Sequence, residues 1–113
     1  MPSGVIGNLK ANELLSSDGA TVTSLTADDE VQTALVANNS RHGGALYNDT
    51  DKCAYVKFGA GASTSSFTVR LAKKDADGIG GFLNLGALRV YRGAITVIWE
   101  SSPTGALRIT ELS

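Results

Sequence analysis

Apolar and polar residues alternate with a period of two through the middle of the chain, in residues 53–58 and again in residues 66–71. Every second residue of each run is apolar: Ala54, Val56 and Phe58 in the first, and Phe67, Val69 and Leu71 in the second. This is the period of a half-buried strand and not that of a helix. The small and polar residues 59–65 between the runs are typical of a turn. We therefore predict a hairpin with a flexible tip.

Short runs of β-branched and apolar residues flank this hairpin on both sides. They predict further strands at 21–25, 30–37, 45–47, 82–85, 88–91, 94–99 and 106–112, and polar turns or loops at 38–44, 48–51 and 73–81. The run 94–99 is apolar on both faces, which favours the middle of a sheet. Residues 12–16 are the one short helix candidate. The pattern predicts an all-β, antiparallel β-sandwich or jelly-roll-like domain of about eight short strands.

The first 19 residues follow neither period and predict an extended N-terminal arm, with the β-sandwich domain spanning residues 20–113. A chain of 113 residues is long enough for one core and too short for two. The arm is too apolar for a free tail, so we expect it to pack on its own domain or on a neighbour. The alternative is a disordered terminus. The apolar residues of the arm are Val5, Ile6, Leu9, Leu14 and Leu15.

The net charge of −1 hides an asymmetry along the chain. Residues 1–40 hold one Lys against five acidic residues, a sum of −4, whereas residues 41–108 hold nine Lys or Arg against five acidic residues, a sum of +4; Glu111 adds the last −1. Ordinary surface charge is one interpretation. The other is that the acidic segment of one copy meets the basic body of another.

Residues suited to chemistry are few. One histidine, His42, and one cysteine, Cys53, provide no disulfide, no local catalytic motif and no metal-ligand spacing. Asp75-Ala76-Asp77-Gly78 resembles part of a calcium loop but lacks the distal Glu, so we predict a plain turn. We predict no enzymatic activity, no catalytic residue, no cofactor and no metal.

Nucleic acid and membrane are not expected as partners. The balanced charge argues against a nucleic-acid site built from Arg89, Tyr91 and Arg92, and Trp99 ends an apolar run that suits a core or a subunit interface. No run approaches the ~20 apolar residues of a membrane span, and the N-terminus lacks a signal-peptide pattern. We expect synthesis and folding in the cytosol.

An ordered series of short motifs from Leu35 to Leu112 carries a resemblance to a known group of proteins. The motifs are LVANNSR at 35–41, LYND at 46–49, YVKFG at 55–59, FTVRLA at 67–72, YRGAI at 91–95, IW at 98–99 and RITEL at 108–112. Together they resemble the small β-rich proteins encoded among the virion structural genes of tailed bacteriophages. The resemblance covers about two-thirds of the chain. It departs at residues 73–88, which are longer and richer in glycine, and in the arm, which has no family motif.

The resemblance implies a non-enzymatic virion protein, first of all a capsid decoration or cement protein on the capsid surface. Such a protein would form homo-oligomers, bind the major capsid protein and stabilise its shell. We expect the contacts to come from the five apolar arm residues and from Arg89, Tyr91 and Arg92. The alternative is a head-tail connector, tail or fibre accessory protein. A receptor- or glycan-binding fibre module would need exposed aromatic side chains around Tyr47, Tyr91 and Trp99.

Overall fold

The computed structural model describes residues 19–86 and 89–113, which form eight strands and no helix. The strands are Ala20–Thr26 (β1), Gln32–Leu35 (β2), Gly43–Thr50 (β3), Ala54–Phe58 (β4), Val69–Leu71 (β5), Phe82–Asn84 (β6), Ile95–Trp99 (β7) and Gly105–Leu112 (β8). They pair antiparallel in two sheets, sheet A in the order β1-β8-β3-β6 and sheet B in the order β2-β7-β4-β5. The predicted all-β class, antiparallel pairing and strand number are confirmed; the jelly-roll-like detail stays a prediction.

One apolar core unites the two sheets, as in a β-sandwich. Its buried members are Leu46, Leu107 and Ile109 from sheet A, Ala54, Val56, Leu71, Ile95, Val97 and Trp99 from sheet B, and Leu85 just after β6. Burying each of the larger side chains contributes about 1.5–3 kcal/mol, which makes this cluster the main source of stability. Among the described residues, there is no helix long and apolar enough to cross a membrane.

The predicted central strand and the predicted hairpin are both confirmed. Strand β7 lies between β2 and β4 in sheet B. Strands β4 and β5 pair with Ala54 opposite Leu71 and Val56 opposite Val69. The second strand of the hairpin is shorter than predicted, however, because the side-chain oxygen of Thr68 accepts the hydrogen bond from the Phe58 N–H.

Phe67 does not face the core with Val69 and Leu71, as its alternation predicted. It precedes β5 and packs edge-to-face on Tyr55, with ring centroids 5.1 Å apart. Tyr55 lies between Ala54 and Val56 in β4, so its side chain occupies the outer face of sheet B. Phe67 is 42% exposed and covers Tyr55, which is only 8% exposed.

The predicted polar turn at 48–51 is wrong for residues 48–50, which belong to strand β3. The strand is eight residues long and also includes Gly43 and Gly44, for which the sequence pattern predicts a loop. Alternation with Leu46 directs Asn48 and Thr50 inward, and both are fully buried. Asn and Thr are typical of turns. Here the two side chains form hydrogen bonds inside the protein, which offset the free-energy cost of burying polar groups.

The predicted strand at 88–91 is also wrong for its described residues 89–91, which are not in a strand. The main chain there does not join a sheet, because the carbonyl of Tyr91 instead accepts a hydrogen bond from Arg41. Strand β2 is shorter than the predicted 30–37 and has a register shift between Thr33 and Leu35. That irregularity lets Ala34 and Leu35, adjacent in sequence, both pack against the core.

The glycine-rich residues 73–81 run close to two other parts of the main chain. Gly81 accepts from the Asn48 N–H and donates to the Ala72 carbonyl, each at 2.8 Å. A Cβ on Gly80 would lie 1.9 Å from the Asn48 carbonyl oxygen, and one on Gly81 would lie 2.4 Å from the Ala72 nitrogen. No side chain fits at either position, which explains the glycines.

Candidate interaction surface

The side chain of a buried arginine connects three segments of the chain, one of which contains the predicted contact residues Tyr91 and Arg92. Arg41 has no exposed side-chain surface, and its Nε lies 2.8 Å from Glu111 Oε2. Its Nη1 donates to the carbonyls of Tyr91 and Gly93, and its Nη2 donates to the carbonyl of Val36. We call these groups the Arg41 cluster. It ties the segment after β2, the segment before β7 and strand β8 to one another.

The predicted contact residues Arg89, Tyr91 and Arg92 have three different environments. Arg89 is exposed. The Tyr91 ring is half-buried and stacks on Phe58 with centroids 4.9 Å apart and an interplanar angle of 5°. Arg92 is exposed, but its Nε donates to the Arg41 carbonyl at 2.9 Å. Tyr91 and Arg92 therefore stabilise this segment, whereas the Arg89 side chain is exposed.

The other predicted contact residues, Val5, Ile6, Leu9, Leu14 and Leu15, lie outside the described residues, as does the helix candidate at 12–16. Gly19, the last residue assigned to the arm, is described. It exchanges two main-chain hydrogen bonds with Ser113, of 3.2 and 3.0 Å. The described part of the chain therefore begins beside Ser113.

A second buried polar group lies within the core and joins the two sheets. Asn48 Nδ2 donates toward the carbonyls of Lys52, Leu71 and Ala72. Asn48 Oδ1 accepts from Thr50 Oγ1 at 2.7 Å and from Trp99 Nε1 at 3.1 Å. This group links strands β3, β5 and β7, so its polar atoms are used in holding the fold.

The aromatic side chains that a glycan-binding surface would need do not form one exposed platform. Trp99 is 2% exposed and belongs to the core. Tyr91 stacks on Phe58. Tyr47 is half-buried, and its hydroxyl donates to the Gly78 carbonyl and accepts from the Gly80 N–H. Each of the three serves a separate internal contact.

The outer face of sheet A carries a small group of ion pairs. Arg108 Nη2 lies 2.9 Å from Asp49 Oδ2, and Lys74 Nζ lies 3.3 Å from Asp49 Oδ1. Arg108 also donates to Ser24 Oγ on β1. The hydrogen bond from Arg108, assisted by Lys74, lowers the pKa of Asp49 below its ordinary value and outweighs the opposing effect of partial burial. The group is therefore a structural one that joins β1, β8 and β3.

The acidic turn at Asp75-Ala76-Asp77-Gly78, which resembles part of a calcium loop, has a structural role of its own. Asp75 Oδ1 accepts the N–H groups of Asp77 and Ile79, at 2.9 and 3.0 Å, so it stabilises its own turn. Among residues 19–86 and 89–113, no group of three or more His, Cys, Asp or Glu side chains could hold a metal ion. The main-chain N–H of His42 donates to the Leu112 carbonyl at 2.7 Å.

Apolar side chains on the surface are dispersed over several elements. The large exposed ones in the described part of the chain are Val22, Val31, Val36, Phe67, Ile79 and Phe82. They lie on β1, on both sides of β2, before β5, in the 73–81 loop and on β6. Single exposed apolar residues are normal on protein surfaces.

Comparison with known proteins adds no relative. No protein-family model, no curated protein and no solved structure matches this chain.

The sequence pattern did not predict the structural role of Arg41, whose position among Asn, Ser and Gly is typical of an exposed loop. The only signal for it was a charged partner of opposite sign, Glu111, separated from it by 70 residues in the chain.

Proposed function

We propose that this chain is a non-enzymatic structural protein of a tailed-phage particle, a decoration or cement protein that binds the outside of the shell formed by the major capsid protein. It associates with copies of itself and stabilises the shell. The protein is made in the host cytoplasm and acts on the capsid surface. Neither nucleic acid nor membrane takes part in the proposed function.

One observation carries this proposal: four polar side chains of the described residues are buried, and each forms hydrogen bonds within the protein. They are Arg41, Asn48, Thr50 and Thr96. Gln32 Oε1, on a half-buried side chain, is the one buried side-chain oxygen of the described residues that has no hydrogen-bond partner. Thr96 Oγ1 donates to the Gly59 carbonyl at 2.7 Å and accepts from the Ala62 N–H at 3.1 Å. None of the four keeps its polar atoms for a substrate, so the surface is the part of the described molecule that supports a function.

The Arg41 cluster supports a binding role for the segment that includes Arg89. Hydrogen bonds from Arg41 to the carbonyls of Tyr91 and Gly93 anchor the main chain close after Arg89. Pre-ordering lowers the entropy lost on binding. Repetition over a symmetric shell then converts modest contacts of single copies into high avidity.

The test is the amount of this chain in purified particles, measured by mass spectrometry against the major capsid protein. A shell component is expected on the order of hundreds of copies per particle, because it follows the shell symmetry. About a dozen copies or fewer would assign the chain to the neck, tail or fibre instead. Absence from particles would refute a virion role.

A charge reversal then tests the proposed contact on shells that lack this chain. Arg89→Glu should weaken co-sedimentation with such shells and leave the thermal unfolding midpoint unchanged, because Arg89 is exposed. Arg70→Glu makes the same charge change at an exposed position on β5 and is the matched control. Equal loss with both variants would show a nonspecific charge effect and would contradict a contact through Arg89.

A further inference from the structure

Strand β1 forms an unusually open edge of sheet A. Its sequence, ATVTSLT, holds seven residues with no charge and no proline, and in the described part of the chain it pairs with β8 alone. The other edge strands of the two sheets are short: β2 has four residues, and β5 and β6 have three each. Proteins usually block long edges with charge, proline or bulges, because a free edge pairs with other chains. Strand β1 has none of these.

The hydrogen-bond pattern shows which main-chain groups point outward. Gly19 and Ser113 exchange both of their bonds, and the Ala27 N–H donates to the Gly105 carbonyl. In an antiparallel ladder such pairs alternate, so the odd-numbered residues of β1 point their N–H and C=O groups at β8. The even-numbered residues point theirs away from the sheet: Ala20, Val22, Ser24 and Thr26. Of these groups, the Thr26 carbonyl accepts from Gln32 Nε2.

The side chains along this edge are equally open. Residues 20–24 are exposed on both faces of the strand, and Val22 is 73% exposed. A strand laid against residues 20–25 would meet Ala, Thr, Val, Ser and Leu side chains and no charged residue of β1, whereas at Thr26 it would meet the side chain of Gln32. Small and β-branched residues are well suited to cross-strand pairs.

We propose that β1 pairs antiparallel with β1 of a second copy of this chain, about a twofold axis at Thr23. The two four-stranded A sheets would then form one continuous sheet of eight strands. This deepens the proposed function by naming the surface through which copies associate, and it rests on that function only for its biological setting.

The strand is self-complementary in this register, which is why the partner is a second copy. Val22 lies opposite Ser24 of the partner subunit, and Ala20 lies opposite Thr26 of the partner subunit. All of these residues point outward, so the N–H groups of Val22 and Ser24 meet free carbonyls of the partner strand. At each end, the Ala20 N–H meets a Thr26 carbonyl that already accepts from Gln32 Nε2. Thr23 lies opposite Thr23 of the partner subunit in a pair without main-chain bonds, where side chains approach most closely. A strongly acidic or basic partner would find no complementary charge on this strand.

Charge complementation tests both the edge and the register. Thr23 is exposed, so Thr23→Lys and Thr23→Glu should fold normally. Each variant alone places two like charges opposite each other, and we expect it to weaken self-association roughly fivefold in sedimentation equilibrium. An equimolar mixture of the two should restore association through the Lys–Glu pair. Thr64→Lys, at an exposed threonine of the 59–68 loop, is the matched control and should associate like the natural chain.

Amide hydrogen exchange on the full chain adds an independent measurement. With rising concentration, the amides of Val22 and Ser24 should become protected, whereas that of Thr23 is already bonded to β8 in the single copy. A chain that stays monomeric at millimolar concentration would overturn the proposal, as would association that neither Thr23 variant changes. Each of these measurements uses the free chain, so its failure is distinguishable from absence of the chain from particles.

Discussion

At the scale of single residues, Arg41 contributes most to the conformation of the candidate surface. Its guanidinium group has five N–H donors in a fixed plane, and here they reach one carboxylate and three carbonyls, which belong to three segments of the chain. A buried pair of this kind adds little net stability compared with apolar replacements of both partners. It does, however, specify how the three segments meet, since a smaller cation could not reach all four acceptors.

We expect Arg41→Met to lower the free energy of unfolding by about 3–5 kcal/mol, because it leaves Glu111 and three inward carbonyls without their donor. Arg41→Lys should cost less but still about 2 kcal/mol, since one ammonium group cannot serve all four acceptors. Urea unfolding measures both. Arg89→Met, at an exposed position, is the control and should stay within about 0.5 kcal/mol of the natural chain. A loss below about 1 kcal/mol for Arg41→Met would contradict a structural role.

Asp49 should give the stability a dependence on pH. Its pKa is lower in the folded protein than in the unfolded chain, chiefly through Arg108. A lowered pKa stabilises the fold above the unfolded value of about 3.9, and this contribution is lost as the pH falls through the folded pKa. Asp49→Asn should therefore be less stable than the natural chain at pH 7, by no more than about 1 kcal/mol.

Thermal unfolding of the two proteins across the acid range checks this prediction. The difference between them should shrink once the pH falls below about 4. Asp77→Asn removes an exposed carboxylate from the 73–81 loop and serves as the control. A difference of the same size at pH 7 and in acid would rule out the ion-pair explanation.

At the scale of elements, the 73–81 loop shows two distinct reasons for glycine. A Cβ on Gly81 would press on the main chain of Leu71 and Ala72, whereas Gly78 has a φ of 80° and open space around it. We expect Gly81→Ala to cost about 2 kcal/mol or more, because backbone and not a flexible side chain must move. Gly78→Ala should cost about 1 kcal/mol through its conformation alone.

The same pair of variants reports on how closely the loop is held to β3. Thermal unfolding should show the larger loss for Gly81→Ala, together with faster amide exchange at Asn48, whose N–H bonds to Gly81. If both variants lost the same stability, the close approach at Gly81 would not be an energetic constraint.

Sequence patterns predicted those elements in which side-chain chemistry and burial agree. Ile95 and Val97 belong to a strand that is apolar on both faces, and its central position followed from that. Asn48 and Thr50 have the chemistry of a turn but are buried, so a strand was predicted at 45–47 but not its continuation through residues 48–50. Tyr91 fits a strand pattern, yet its environment depends on Phe58 and on Arg41, which are distant in the sequence. Contacts between distant residues leave no local period.

At the scale of the whole molecule, the two sheets differ in the length of their edge strands. Sheet B is bounded by the short edges of β2 and β5, whereas sheet A ends in the long open edge of β1. The sequence predicted a strand at 21–25 but gave no indication that it would lie at an edge. Edge position is a property of strand order, and order depends on pairings such as Leu25 with Leu107, which lie far apart in the chain.

The bonds between Gly19 and Ser113 have a practical consequence for protein engineering. Because these two residues are neighbours across the β1–β8 ladder, a short linker could join them and close residues 19–113 into a ring once residues 1–18 are removed. The ring could then be cut in residues 63–66, whose main chain is on the surface, without removing a strand from either sheet.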